Sequence, residues 1–414
     1  LLHIIRLPKA FKLIFAEDKG EGDISSFAAL ATALAATIGT GNIVGVATAI
    51  KTGGPGALFW MWIAAFFGMA TKYAEGLLAI KFRTLDDQGN VSGGPMYYIT
   101  HGFSGKWQII AKPLAYFFAF AGVLVAWLGI GTFSQVNSIT SSLQNSFGWS
   151  PKIVSVILAL ITAAIIFGGI QSISKVSEKV VPFMAGLYII AALIVIFANF
   201  NQLLPVLEMV FQSAFTGKAA VGGFAGATVM AAMRLGIARG VFSNESGLGS
   251  APIAAAAAKT EEPVEQGLIS MTGTFIDTII ICTLTGLAIL VTGQWSGSLE
   301  GAPMTQAAFS SIFGTFGELA LTLSLVLFAF TTILGWSYYG ERCFEFIFKS
   351  TKFLSFYRLI FVVMVALGGY LTLEVVWKIA DIVNGLMALP NLIALLVLSP
   401  IILRESKSYF ERHK

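Results

Sequence analysis

Apolar residues run along this chain in ten long stretches, near 24–50, 55–82, 111–146, 151–170, 178–199, 222–258, 265–293, 315–349, 353–372 and 375–402. Short clusters holding most of the charge separate them. A bilayer core about 30 Å thick needs about 20 apolar helical residues, so each stretch predicts a membrane-crossing helix. The third is too long for one upright crossing and is expected to tilt strongly. The sixth carries so many glycines and polar residues that a break is the simpler expectation. The opening LLHIIRLPKAFKLIF is basic and amphipathic and reads as an interfacial helix.

These segments divide the chain into a cytoplasmic amphipathic stretch (1–23), one transmembrane domain (24–402) and a cytoplasmic tail (403–414). With the amino terminus inside, most Lys and Arg fall in cytoplasmic segments, and Lys51, Lys152, Lys218 and Lys378 fall outside. The positive-inside rule therefore predicts both termini in the cytoplasm. Dividing between segments five and six, near 200–221, gives repeats of 24–199 and 222–402. Because five is odd, the second repeat enters the membrane in the opposite orientation, the inverted arrangement of secondary transporters.

Composition agrees: 56% of the 414 residues are apolar and 12% charged, against roughly 25% charged in soluble domains. A formal charge of +4, concentrated in loops, gives no argument for nucleic acid. Cys282 and Cys343 lie in apolar runs without metal-ligand spacing and read as small apolar side chains. His3, His101 and His413 lie in terminal or loop regions. The clustered ligands of a membrane enzyme are therefore missing, and no span shows the sustained polar stripe of a channel.

Two segments carry chemistry. In ATIGTGNIVG (36–45), Gly39, Gly41 and Gly45 leave the backbone unshielded while Thr40 and Asn42 offer competing local hydrogen bonds, so the helix is expected to unwind. A half-helix amino terminus then presents N–H groups to an anion such as a carboxylate, and freed carbonyls suit a small hard cation. In RGVFSNESGLGSAP (239–252), Arg239, Ser243, Asn244, Glu245 and Ser246 crowd an apolar environment where ionisable groups are expensive. Arg239 and Glu245 are expected to compensate one another or other interior charges. Phe242 reads as a lid over a small ligand, Ser243 and Asn244 as oxygen donors. Asp277 in segment seven is the most isolated acid, completing a cation site or hydrogen-bonding threonines. Lys72 and Glu75, three residues apart on one helix face, read as an internal pair.

The runs GTGNIVGVATAIKTGGPGALFWMWIAAFFGMATKYAEGLLAIKFR (39–83), SGGPMYYI (92–99) and RGVFSNESGLGSAP closely resemble the alanine or glycine:cation symporter family, over essentially the whole chain. The resemblance implies an all-α integral membrane protein of the leucine-transporter fold group, with about ten helices as two inverted five-helix repeats and broken helices 1 and 6. A further segment before residue 1 would match the family's usual length. The implied activity is sodium-coupled import of alanine and glycine across the cell membrane, with sodium as co-substrate and no cofactor. Thr40, Gly41 and Asn42 match the carboxylate-binding break of helix 1, with Gln135 as a further partner. Phe242, Ser243 and Asn244 match the break of helix 6. Backbone carbonyls near Ala35 and Ile38 would meet Thr331 and Thr332 around sodium, and Met271 and Trp336 would cap the side-chain pocket. The alternative is a proton-coupled carrier of the same fold, using Asp277, Glu245 or Lys72.

Overall fold

The computed structural model describes residues 2–18, 20–216 and 229–413. All ten apolar stretches form helices. Segment one is Ser26–Thr37 and Val46–Gly53 joined by a π-helical turn, Gly41–Gly45; segment two is Gly56–Lys81; segment three is Gln108–Leu128 and Phe133–Phe147. Segments four and five are Pro151–Ile166 and Gly169–Ala198. Segment six is Val229–Asn244 and Ala251–Ala255, and segment seven spans Pro263–Val291 with a π-helical stretch, Phe275–Cys282. Segments eight, nine and ten are Thr315–Phe348, Leu354–Leu367 and Leu373–Val397.

Among the described residues, seven helices are long and apolar enough to cross a membrane, and eight if the two halves of segment one, bent by 51°, form one span. Segment four has 16 residues, short of the ~20 a crossing needs, and the described part of segment six is divided by its break. The expected start of segment six at 222–228 and Lys218 lie outside the described residues, as do Leu1, Lys19 and Lys414 at the flanks.

One expectation changes. Segment three is interrupted at residues 129–132, where a tilt alone was expected; a side chain at Gly131 would sit 2.8 Å from the Trp336 Cβ, so the turn is part of its packing on segment eight. The amphipathic helix Leu7–Ile14 packs against segment seven and buries Ala10 and Ile14, while Phe15 stays exposed. The tail lies in a helix, Ser399–Arg412, whose buried Tyr409 donates to Glu265 at 2.8 Å.

Segment two packs most extensively against six and seven, segment three against eight and ten, and segment four against nine. Segment five reaches across to one and eight. Small residues permit these approaches: a Cβ at Gly335 in segment eight would lie 2.7 Å from the Ala36 Cβ in segment one. At the end carrying both termini, the Arg83 guanidinium donates to the carbonyls of Glu21, Ala256, Ala258 and Thr260 at 2.7–3.0 Å. Nearby, Arg342 contacts Asp86 at 3.1 Å and Glu345 at 2.8 Å. Burial pushes the Asp86 carboxyl up, but hydrogen bonds from the Asn90 and Gln88 backbone, the Asn90 side chain and Arg342 outweigh it and hold the group below its ordinary value.

Gly335→Leu is expected to destabilise the chain by about 1–3 kcal/mol through overpacking, read as a lower melting temperature in detergent, with Gly186→Ala, which meets nothing within 4 Å, as the milder comparison.

Candidate functional site

Segment one breaks where its sequence weakens the helix. Ile38 is extended (φ −74°, ψ 95°), and the Gly39 N–H is taken by the Asn42 side-chain oxygen at 2.8 Å. The Ala35 carbonyl therefore lacks its usual helical donor. Its partner is the Thr332 hydroxyl of segment eight, 3.1 Å from Ala35 O, 3.3 Å from Ile38 O and 3.0 Å from Phe328 O. One hydroxyl hydrogen serves one of these three carbonyls at a time, so the cluster is rich in oxygen and poor in protons. That imbalance suits a small cation. Gly39 is required by the approach: a Cβ there would lie 2.5 Å from the Thr332 Oγ1 and 3.1 Å from the Gln135 Oε1.

One step along, the Thr40 N–H and hydroxyl both donate to Gln135 Oε1, at 3.1 and 2.7 Å. Gln135 is held by its own amide donating to the Ile130 carbonyl at 3.0 Å. The breaks of segments one and six meet at Gly41, where a Cβ would lie 3.0 Å from the Ser243 Cα and 3.2 Å from the Phe242 ring.

Asp277 joins both breaks to segment seven. It accepts from the Asn42 amide at 2.7 Å, the Ser243 hydroxyl at 2.9 Å and the Thr278 hydroxyl at 2.7 Å, and is fully buried. The Asn244 amide in turn donates to Thr278 at 3.0 Å. Asp277 lies in the π-helical stretch, and such widened turns commonly mark functional positions.

The break in segment six is built from Glu245 (φ +56°), Gly247 (φ +89°) and Gly249 (φ +80°). The Gly247 N–H donates to Glu75 at 3.1 Å; Asn391 donates to Glu75 at 2.7 Å and to the Gly247 carbonyl at 2.9 Å. The Asn391 oxygen accepts from the Tyr98 hydroxyl. Both backbone groups of Gly247 thus have a side-chain partner.

Two expected pairings do not form. Arg239 ion-pairs with Asp381 at 2.8 Å and lies over the rings of Trp377 and Phe242; Glu245 instead accepts from Trp336 at 2.8 Å and Ser250 at 2.5 Å. Glu75 is turned to segment six, and the buried Lys72 ammonium has no hydrogen-bond partner among the described residues. Thr331 also parts from Thr332: it bonds back to Leu327 and Phe328 and faces Met184 in segment five, so a one-residue step turns it away from Ala35 and Ile38. Met271 and Trp336 are fully buried in the core that also holds Phe242. Asp381, Trp377 and Asn391 went unread in the sequence; an acid, an indole and an amide within one apolar stretch were the available signal.

The profile of the sodium:alanine symporter family matches residues 1–414. The chain is 50% identical to the sodium/alanine symporter AgcS of Methanococcus maripaludis, over 100% of this chain and 91% of that one. It is 37% identical to a putative sodium/proton-dependent alanine carrier, YrbD, of Bacillus subtilis, over 100% and 86%. Among solved structures it is similar to MhsT in complex with L-phenylalanine, with a TM-score of 0.56 at 13% identity, covering 93% of this chain and 99% of that one. MhsT has the leucine-transporter fold, and so has this chain.

Asn391→Ala leaves the buried Glu75 and the Gly247 carbonyl short of a donor. A loss of about 1–3 kcal/mol is expected, measured as a lower melting temperature, with Tyr98→Phe losing less because only one hydrogen bond goes.

Proposed function

The chain belongs to the sodium:alanine symporter family, a family of membrane transporters and not enzymes, and from that premise we propose that it imports alanine and glycine coupled to sodium by alternating access. The observation that carries the reading is the cluster of Ala35 O, Ile38 O and Thr332 Oγ1, three oxygens within hydrogen-bond reach that share one proton. A sodium ion among them replaces an incomplete hydrogen-bond set with direct oxygen coordination. The ion is cargo, and Thr332 with these two carbonyls is its site. Thr331 has a supporting place behind it.

The amino acid lies beside the ion. Its carboxylate takes the N–H groups of Thr40, Gly41 and Asn42, displacing the Thr40 contact with Gln135, which turns to donate through its amide. Its ammonium takes carbonyls freed between Phe242 and Asn244. Met271 and Trp336 wall the side chain, and Phe242 closes over it, backed by Trp377 at 4.8 Å. Sodium bound first ties segment one to segment eight and pre-organises the carboxylate site, so each ligand favours the state the other needs. Segments one, two, six and seven then rock against the remainder. One sodium ion moving down 100 mV contributes about 2.3 kcal/mol.

The topology follows the same reading: inverted repeats of 24–199 and 222–402, both termini cytoplasmic, in the cell membrane. A second reading, proton coupling, is favoured by Asp277 and Glu245, buried acids with no ion-pair partner among the described residues, and by the name of the YrbD relative.

Alanine uptake into proteoliposomes should follow an inward sodium gradient, compete with glycine, and fail with potassium or a proton gradient alone; uptake driven only by protons would sink the sodium assignment. Thr332→Ala should raise the sodium concentration for half-maximal uptake about tenfold or more, since an ionic contact of about 1.5–3 kcal/mol is removed, with Thr331→Ala changing it far less.

A further inference from the structure

We propose that Glu245 sets the upper size limit of the transported side chain by holding the Trp336 indole in place, an inference that rests on Trp336 being a wall of the amino-acid pocket. Glu245 is 0% exposed and carries a left-handed backbone (φ +56°) that residues other than glycine seldom adopt. Both carboxylate oxygens are committed. Oε1 accepts the Trp336 indole N–H at 2.8 Å, and Oε2 accepts the Ser250 hydroxyl at 2.5 Å, at the entrance to the inner half-helix of segment six. One side chain therefore fixes segment eight's indole to both edges of the break.

Trp336 is confined on its other sides as well. It stands one helical turn beyond Thr332, so both share the face of segment eight turned to segment one. The turn at 129–132 supplies Gly131, where any side chain would come within 2.8 Å of the Trp336 Cβ. Tyr339 meets the indole edge-on, with ring centroids 5.4 Å apart. Packing confines the ring without pairing its N–H; the directional bond to Glu245 selects one orientation.

An indole has a single N–H donor. Removing its acceptor leaves that donor buried and unpaired, a state that favours swinging the ring toward another partner. A swung indole enlarges the pocket, and pocket volume is what separates alanine from branched amino acids, at tenfold or more per added methylene. Glu245 thus acts through Trp336 and is a positioning residue.

The test is sodium-driven uptake of labelled alanine, competed by leucine, in the unaltered protein and in Glu245→Ala, Glu245→Gln and Trp336→Phe. Glu245→Ala is expected to lower the preference for alanine over leucine about tenfold, mainly through KM. Trp336→Phe, which removes the N–H and also shrinks the wall, should lower it at least as far, and Glu245→Leu, which fills the space without an acceptor, replaces Glu245→Ala if that variant does not fold. Glu245→Gln should restore most of the preference, because its amide oxygen still accepts the indole N–H. Unchanged preference in Glu245→Ala and Trp336→Phe, with an altered sodium or pH dependence in the first, assigns the carboxylate to coupling and overturns this proposal while leaving the transport reading intact. An unaltered protein that takes up neither alanine nor glycine overturns both.

Discussion

Backbone amide and carbonyl groups have no tolerated exposure in an apolar interior, and every break in a helix there creates a set of them that must be answered. Segments one and six both break, and the surrounding structure is organised around the consequences. Asn42 answers Gly39, Thr332 stands against Ala35 and Ile38, Gln135 answers Thr40, and Glu75 with Asn391 answers both groups of Gly247. The partners come from segments two, three, eight and ten. A local loss of helix is thereby turned into a set of long-range contacts, and moving either break disturbs several helices together.

Buried charge obeys a related constraint. Glu75, Glu245 and Asp277 are each 0% exposed, and none has a salt-bridge partner among the described residues. Instead each collects neutral donors: backbone N–H, amide, indole and hydroxyl. Dipoles fixed by the fold replace water around these acids, and the buried Lys72 ammonium adds an attractive charge to each. Two buried basic side chains do form ion pairs: Arg342 with Asp86 near the end of segment eight, and Arg239, close to the break of segment six, with the half-exposed Asp381.

Much of this was legible in the chain because its signals are local. Hydropathy located all ten helices, and glycine beside Thr40, Asn42, Ser243 and Asn244 marked both breaks, since helix weakness is decided by the residues themselves. The same reasoning failed where the outcome depended on a distant partner. Lys72 and Glu75 have ideal spacing for a pair, but Glu75 is claimed by Gly247, which is 172 residues away. Arg239 and Glu245 are neighbours in sequence, and each finds its partner on another helix. The interruption at 129–132 and the π-helical stretch around Asp277 gave no hydropathy signal because both are responses to packing.

The sequence by itself determined a helical membrane protein with two weakened segments, since apolar length and glycine placement act through the bilayer and the local backbone. Its long motifs also determined the family. Which polar group meets which was decided only by the tertiary structure. Thr331 and Thr332 are chemically identical neighbours, yet the hundred-degree step of the helix sends one toward Met184 and the other toward the broken backbone of segment one. That direction is set by how segment eight packs through Gly335 on Ala36 and around the turn at Gly131, contacts between residues far apart in the chain that no local pattern encodes.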